Sequence, residues 1–272
     1  MTSLNNHSVL GIGGISSVAR QRFDLISYLA RMEFLRRYSG TAGGAIWMFA
    51  GPLLTIFTIW AALEFGVSAS GHFGSAFGAN FAIALTAWLF FSDVVQTATV
   101  SITTNPHLVK KVVFPVWVLP LASTCSAFAV HLVLLLVVSG VLWAVGMPLR
   151  IGIFALAFWT LMLFVIGAAT GLLLATLTVR FRDTAVIAPN VLALLFWLTP
   201  LVWPLHQLSA PWKGIALINP MAVIAEGYRA AFGLGQGLTL TPGAIFAAIV
   251  CCLTALAVLT YRRYRPSFSD SL

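Results

Sequence analysis

The chain has 272 residues, of which 60% are hydrophobic and 8% charged, and its mean hydropathy is +0.98. A water-soluble globule with that balance would expose very large apolar patches, so the solvent is lipid, and at roughly 20 apolar residues per helical span there is room for about six or seven spans and no second soluble domain. The net charge of +8 lies in short clusters between apolar runs with no aromatic-basic reading surface, so the clusters read as topology signals and contacts to acidic membrane lipids, with no nucleic-acid partner.

Val9 to Ala19 forms a weak apolar stretch that glycines interrupt and no Lys or Arg precedes, a poor signal peptide expected to remain as a flexible cytoplasmic tail. From Arg20 to Tyr38, Leu25, Ile26, Leu29 and Met32 recur at helical spacing with arginines on other faces, the pattern of an amphipathic helix in the membrane interface. The expected spans are Ala45 to Phe65, Ala79 to about Thr103, Val116 to Val145, Ile151 to Val179, Ala185 to about Trp203, and Pro242 to Tyr261. Pro52 in the first is tolerable because neighbouring helices satisfy the freed carbonyl, and the third and fourth are long enough to demand tilt. The fold class is thus an all-α membrane protein: tail and interface helix (1–43), transmembrane domain (44–262) and cytoplasmic tail (263–272).

Orientation follows from the basic residues, which resist translocation. Arg20, Arg22, Arg31, Arg36 and Arg37 precede the first span; Lys110 and Lys111 follow the second, Arg180 and Arg182 the fourth, and Arg262, Arg263 and Arg265 the sixth. Only Arg150, Lys213 and Arg229 lie in the opposite connections. Both termini are therefore expected in the cytoplasm, which requires an even number of spans and selects six.

Leu205 to Leu240 is too apolar for an ordinary loop. Asn219 as N-cap followed by Pro220 starts a helix that ends near Gly233, at roughly 18 Å too short to cross. The expectation is a re-entrant hairpin of two half-helices at the outer leaflet, bordering a pathway, because irregular backbone survives at that depth only against protein or a water-filled cavity. Glu226 and Arg229, three residues apart, are spaced to pair along one face, a local ion pair that stabilises the hairpin, against the alternative of direct substrate binding.

The chain contains no GxxxxGK[ST], HExxH or GxSxG, and Cys125, Cys251 and Cys252 sit in apolar runs without ligand spacing, so neither a catalytic residue nor a metal site is expected. Asp93 and His131 are the polar groups plainly at membrane depth. Asp93 has open alternatives: an aqueous lumen, a basic partner across the bundle, a bond to a neighbouring helix, or a protonated state. His131 reads as a polar contact between helices. Trp47, Phe57, Trp60, Trp88, Phe196, Trp197 and Trp203, in spans one, two and five, offer apolar faces to the CH faces of sugars, against the plainer reading of packing or lipid contact.

Several motifs in order resemble ABC-2-type exporter permeases, in particular those that export O-antigen, capsule and teichoic acid chains. They are Phe34 to Tyr38 with Gly43 to Trp47 and Gly51 to Leu54; Asn105 to Pro120 (NPHLVKKVVFPVWVLP); Arg182-Asp183; Trp197 with Pro200 to Pro204; and Asn219-Pro220-Met221 with Glu226 and Arg229. The resemblance implies a homodimer with two copies of a separate ATPase that holds ATP and Mg, this chain carrying no cofactor. It makes Asn105, Pro106, His107, Leu108, Val109, Lys110, Lys111 and Phe114 the coupling helix, with the interface helix through Arg31, Glu33, Arg36, Arg37 and Tyr38 beside it. It also implies a conduit at the dimer interface from spans one and five, shaped at its exit by the outer half-helices.

The function these readings imply is that of a permease in the bacterial inner membrane exporting an undecaprenyl-diphosphate-linked polysaccharide, O-antigen foremost, with Arg36 and Arg37 attracting the diphosphate. The alternatives are capsule or teichoic acid export, export of a small hydrophobic drug or lipid, and a membrane-embedded transferase acting on a lipid-linked sugar.

Overall fold

A computed structural model describes residues 12–38, 43–44, 46–67, 77–110, 114–202, 205, 209–235 and 240–268, and among these the secondary structure is helical with no strand. In chain order the helices are α1 (Ile12–Tyr38), α2 (Ile46–Val67), α3 (Phe77–Val100), α4 (Pro106–Val109), α5 (Val118–Ala144), α6 (Ile153–Arg180), α7 (Thr184–Leu198), α8 (Ala210–Ala216), α9 (Pro220–Ala231) and α10 (Leu240–Tyr264). A 3-10 turn, Arg265–Ser267, follows α10.

α3 is the central rod, packed against α2, α5, α6, α7 and α9. Its alanines and phenylalanines are buried on nearly every side. Gly167 and Gly171, one turn apart on α6, let that helix close on α3: a Cβ added at Gly171 would lie 2.8 Å from the Cβ of Ala98, and one at Gly167 would lie 3.1 Å from the Phe90 ring. Small residues at this spacing permit the close approach on which helix association in lipid depends. α10 packs on α6 and α9, and α1 on α5. Threonines inside the helices, among them Thr86, Thr124, Thr176 and Thr254, donate to carbonyls four residues back and so remain satisfied without water.

Four helical segments, Phe77–Val100, Val118–Ala144, Ile153–Arg180 and Gly243–Ser267, are long and apolar enough to cross a membrane among the described residues. α2 and α7 supply the shorter apolar runs Ile46–Ala62 and Thr184–Leu198. The expected fifth span reaches Trp203, whereas α7 stops at Leu198. Thr199 is extended, at φ −86° and ψ 131°, because the Pro200 ring disfavours the helical region for the residue before it. A second correction concerns the expected tail: α1 starts at Ile12, so 12–19 are helical. Residues 1–11 and 269–272, with Lys111 and Trp203, lie outside the described residues, as does the Tyr38 side chain.

The helix ends sort by charge. Ile102 after α3, Val109 of α4, Val116 before α5, Val179 of α6, Tyr261 of α10 and Phe268 form one apolar cluster, with Leu29 of α1 packed on it. Tyr261 reinforces it by accepting a hydrogen bond from the Trp117 backbone N–H at 3.3 Å. The arginine-rich connections thus gather at one end. At the other, the α5–α6 connection pairs with the end of α9 through Arg150 N–H to Phe232 O (3.2 Å) and Gly152 N–H to Ala231 O (2.7 Å). Gly233 follows with φ +73°, a left-handed position that favours glycine at a helix end.

Candidate functional site

At the basic end, α4 is a single turn opened by Pro106 at a position that needs no N–H donor. Asn105 precedes it without a side-chain cap, its Nδ2 donating instead to Ser101 O at 2.8 Å. Val109 is buried, and Leu108 and Phe114 pack on the apolar cluster. His107 and Lys110, three residues apart, are exposed. A groove of about 420 Å³ runs between α1 and this turn, lined by Tyr28, Met32, Arg36, Asn105 and His107 among others.

On α1, Arg31 is exposed, while Glu33 accepts from Arg36 Nη2 at 2.9 and 3.2 Å and lies 3.5 Å from Arg37 Nε. Arg37 Nη1 donates to both carboxylate oxygens of Asp93 on α3, at 3.1 and 2.9 Å. Of the alternatives open for Asp93, a basic partner across the bundle is the one observed. The Asp93 side chain keeps 39% exposure and the Arg37 side chain 17%. The pair therefore ties the end of α1 to the central helix, while the Arg36 side chain beside it stays exposed.

The aromatic residues divide by exposure. Trp47 and Phe57 of α2 and Trp197 of α7 are exposed, with Trp60 partly covered beside Phe57 (ring centroids 5.9 Å apart). Phe196 meets Trp197 edge-on at 5.2 Å and Trp88 at 5.7 Å. Trp88 itself is 5% exposed among Phe91 and Phe196, so it belongs to the protein interior and not to a lining. Its place on the central helix, against Phe196 of α7, is the reason.

At the opposite end α9 starts as its sequence dictates: Asn219 Oδ1 accepts from the Met221 N–H at 2.9 Å, and Pro220 occupies the first turn. Asn219 Nδ2 also donates to Thr199 Oγ1 at 2.8 Å, fastening α9 to the end of α7. Glu226 and Arg229 pair at 3.1 Å, but both are buried, Arg229 to 1% exposure. Arg229 donates further to Pro200 O at 3.0 Å, to Leu201 O and to Asn80 O at 3.3 Å, and Glu226 accepts from the Leu205 N–H at 2.9 Å. The sequence spacing gives the pair but not this reach. The turn after α7 breaks its helical ladder, and Arg229 supplies donors to carbonyls that the ladder no longer serves. Burial alone disfavours a charged guanidinium; the Glu226 carboxylate and the three carbonyls offset that cost.

α8 and α9 are unequal. α9 is buried against α3 and α6, whereas Trp212 and Ile215 of α8 are exposed. Sequence reasoning missed Tyr228 and Thr160. His131 Nε2 lies 2.9 Å from the Tyr228 hydroxyl, which donates to Thr160 Oγ1 at 3.0 Å, joining α5, α9 and α6. The available signal was the single Tyr between Glu226 and Arg229, one residue before the Arg.

The described residues thus form a bundle of apolar helices with its arginine-rich connections at one end and buried polar groups joining its helices. The chain belongs to the ABC-2 type transporter family, whose family model matches residues 24–233. It is 28% identical over 255 residues to the O-antigen export system permease protein RfbA of Myxococcus xanthus, covering 91% of this chain and 95% of that one. To an O-antigen export system permease protein RfbA of Klebsiella pneumoniae it is 23% identical over 252 residues, covering 89% and 93%. These relatives bear out the resemblance read from the motifs.

Proposed function

We propose that this chain is the membrane subunit of an ABC exporter that carries an undecaprenyl-diphosphate-linked polysaccharide, O-antigen foremost, from cytoplasm to periplasm. The observation that carries this reading is similarity along almost the full length of proteins named O-antigen export permeases, 95% of the Myxococcus xanthus chain being covered. α2, α3, α5, α6, α7 and α10 serve as six spans within a transmembrane domain 44–262, in the bacterial inner membrane. The tails 1–43 and 263–272 are cytoplasmic, and the arginine-rich end faces inward.

Two copies pair through α2 and α7, whose exposed Trp47, Phe57 and Trp197 suit a shared conduit that slides along sugar faces. Two ATPase subunits dock on α4 through His107 and Lys110 beside α1, and they alone bind ATP and Mg. Arg36 attracts the diphosphate at the cytoplasmic leaflet. α8 and α9 form the re-entrant hairpin at the exit, braced by Asn219, Pro220, Glu226 and Arg229. Energy enters as differential contact: closure of the ATPase dimer moves α4, and the bundle shifts between two arrangements.

Vesicles containing the permease with its ATPase should translocate a labelled lipid-linked glycan only when ATP and Mg are supplied. Translocation by the permease alone, without nucleotide, would overturn the proposal.

A further inference from the structure

We propose that the cavity between α2, α3 and α5 is a subsite for one uncharged sugar ring of the exported chain, held by Trp47, Asp93 and Gln96. The inference rests on the polysaccharide reading above and specifies which groups grip the glycan within the bundle. The cavity measures about 370 Å³, inside the range of ~300–1,000 Å³ usual for small-molecule sites.

Most polar groups on its wall are already used. Thr55 donates to Gly51 O, Thr97 donates to Asp93 O, and His131 is bonded to Tyr228 through Nε2, its Nδ1 being buried away from the cavity surface. Asp93 and Gln96 retain capacity. The carboxylate is part-exposed, and its oxygens have lone pairs beyond those Arg37 engages. Gln96 is exposed, and its Nε2 donates to the carbonyl and hydroxyl of Ser92 at 3.2 and 3.0 Å, which leaves the amide oxygen to accept. Trp47, with 55% exposure, lines the same cavity.

Two hydrogen-bond acceptors beside a half-exposed aromatic face complement a pyranose, whose hydroxyls donate and whose CH face is apolar. Charge narrows the ligand further. Arg37 neutralises Asp93, so neither an anionic nor a cationic sugar gains from the site, while an alkyl chain lodged there would desolvate the ion pair without bonding to it.

The test uses the full-length protein in lipid nanodiscs and saturation-transfer NMR. The probe is the lipid-free repeat-unit oligosaccharide released by mild acid from the host cell's own surface polysaccharide. The wild type should bind it; Asp93→Asn should weaken binding about tenfold, the loss expected for a hydrogen bond to a charged acceptor, and Gln96→Ala about threefold, the loss expected for a neutral one. Trp47→Ala should weaken it about fivefold, and Trp47→Phe should restore most of that loss. Gln96→Ala leaves the Arg37 to Asp93 pair intact and so reports on the subsite in a folded bundle. Equal affinity for the wild type, Gln96→Ala and Trp47→Ala would overturn the subsite. So would a wild type that exports with ATP but binds no oligosaccharide, an outcome that leaves the proposed function standing. Binding that responds to these substitutions in a protein that exports nothing with its ATPase would support the subsite and tell against the export reading.

Discussion

Replacing Arg229 by Met keeps much of the side-chain volume and removes every guanidinium donor from the knot at the end of α9. Pro200 O, Leu201 O and Asn80 O lose a partner, and Glu226 is left as a buried carboxylate whose protein donor is the Leu205 N–H. Breaking a buried pair by deleting one member costs about 3–5 kcal/mol, mostly the penalty for the charge left behind. Glu226→Gln strands the guanidinium less severely, because the carbonyls still hold it, and about 1.5–3 kcal/mol is expected for the lost charged hydrogen bond. The double variant should cost less than the sum of the singles, by about 1–3 kcal/mol, since neither charge then remains to be stranded. SDS-induced unfolding in bicelles, followed by near-UV circular dichroism, measures all four proteins of the cycle. A loss below about 1 kcal/mol for Arg229→Met, or strict additivity in the cycle, would refute the view that this pair bolts the α7 turn to α9 and the start of α3.

Two other outcomes follow from the packing and the charge pattern. Gly227→Ala would place a Cβ 2.3 Å from the Trp159 ring; the same unfolding assay should show a loss of about 1–3 kcal/mol from overpacking between α9 and α6, and an unchanged midpoint would contradict the close approach. Lys110→Cys, in a background lacking the three native cysteines, should react with a membrane-impermeant thiol reagent in inside-out vesicles and stay unlabelled in intact cells; labelling in intact cells would reverse the proposed orientation.

Residue type and spacing made much of this protein readable. The apolar runs and the basic clusters between them identified a membrane protein and ordered its helices, because burial in lipid and resistance to translocation are properties of composition along the chain. Asn219-Pro220 fixed the start of α9 for an equally local reason, a cap and a preset φ. What tertiary structure alone decided is partnership. Asp93 is paired with Arg37, a residue 56 positions away. Trp88 is enclosed while Trp197 is exposed, although both are tryptophans in apolar helices. Glu226 and Arg229 were legible as neighbours on a helix, but the carbonyls of Pro200, Leu201 and Asn80 that make them a bolt come from elements far along the chain. In lipid the hydrophobic term no longer separates inward from outward faces, since hydrocarbon is as apolar as a neighbouring helix. The identity of each contact is then settled by close approach at Gly167, Gly171 and Gly227 and by hydrogen bonds between buried groups such as Tyr228 and Thr160. Those constraints exist only once the helices have met.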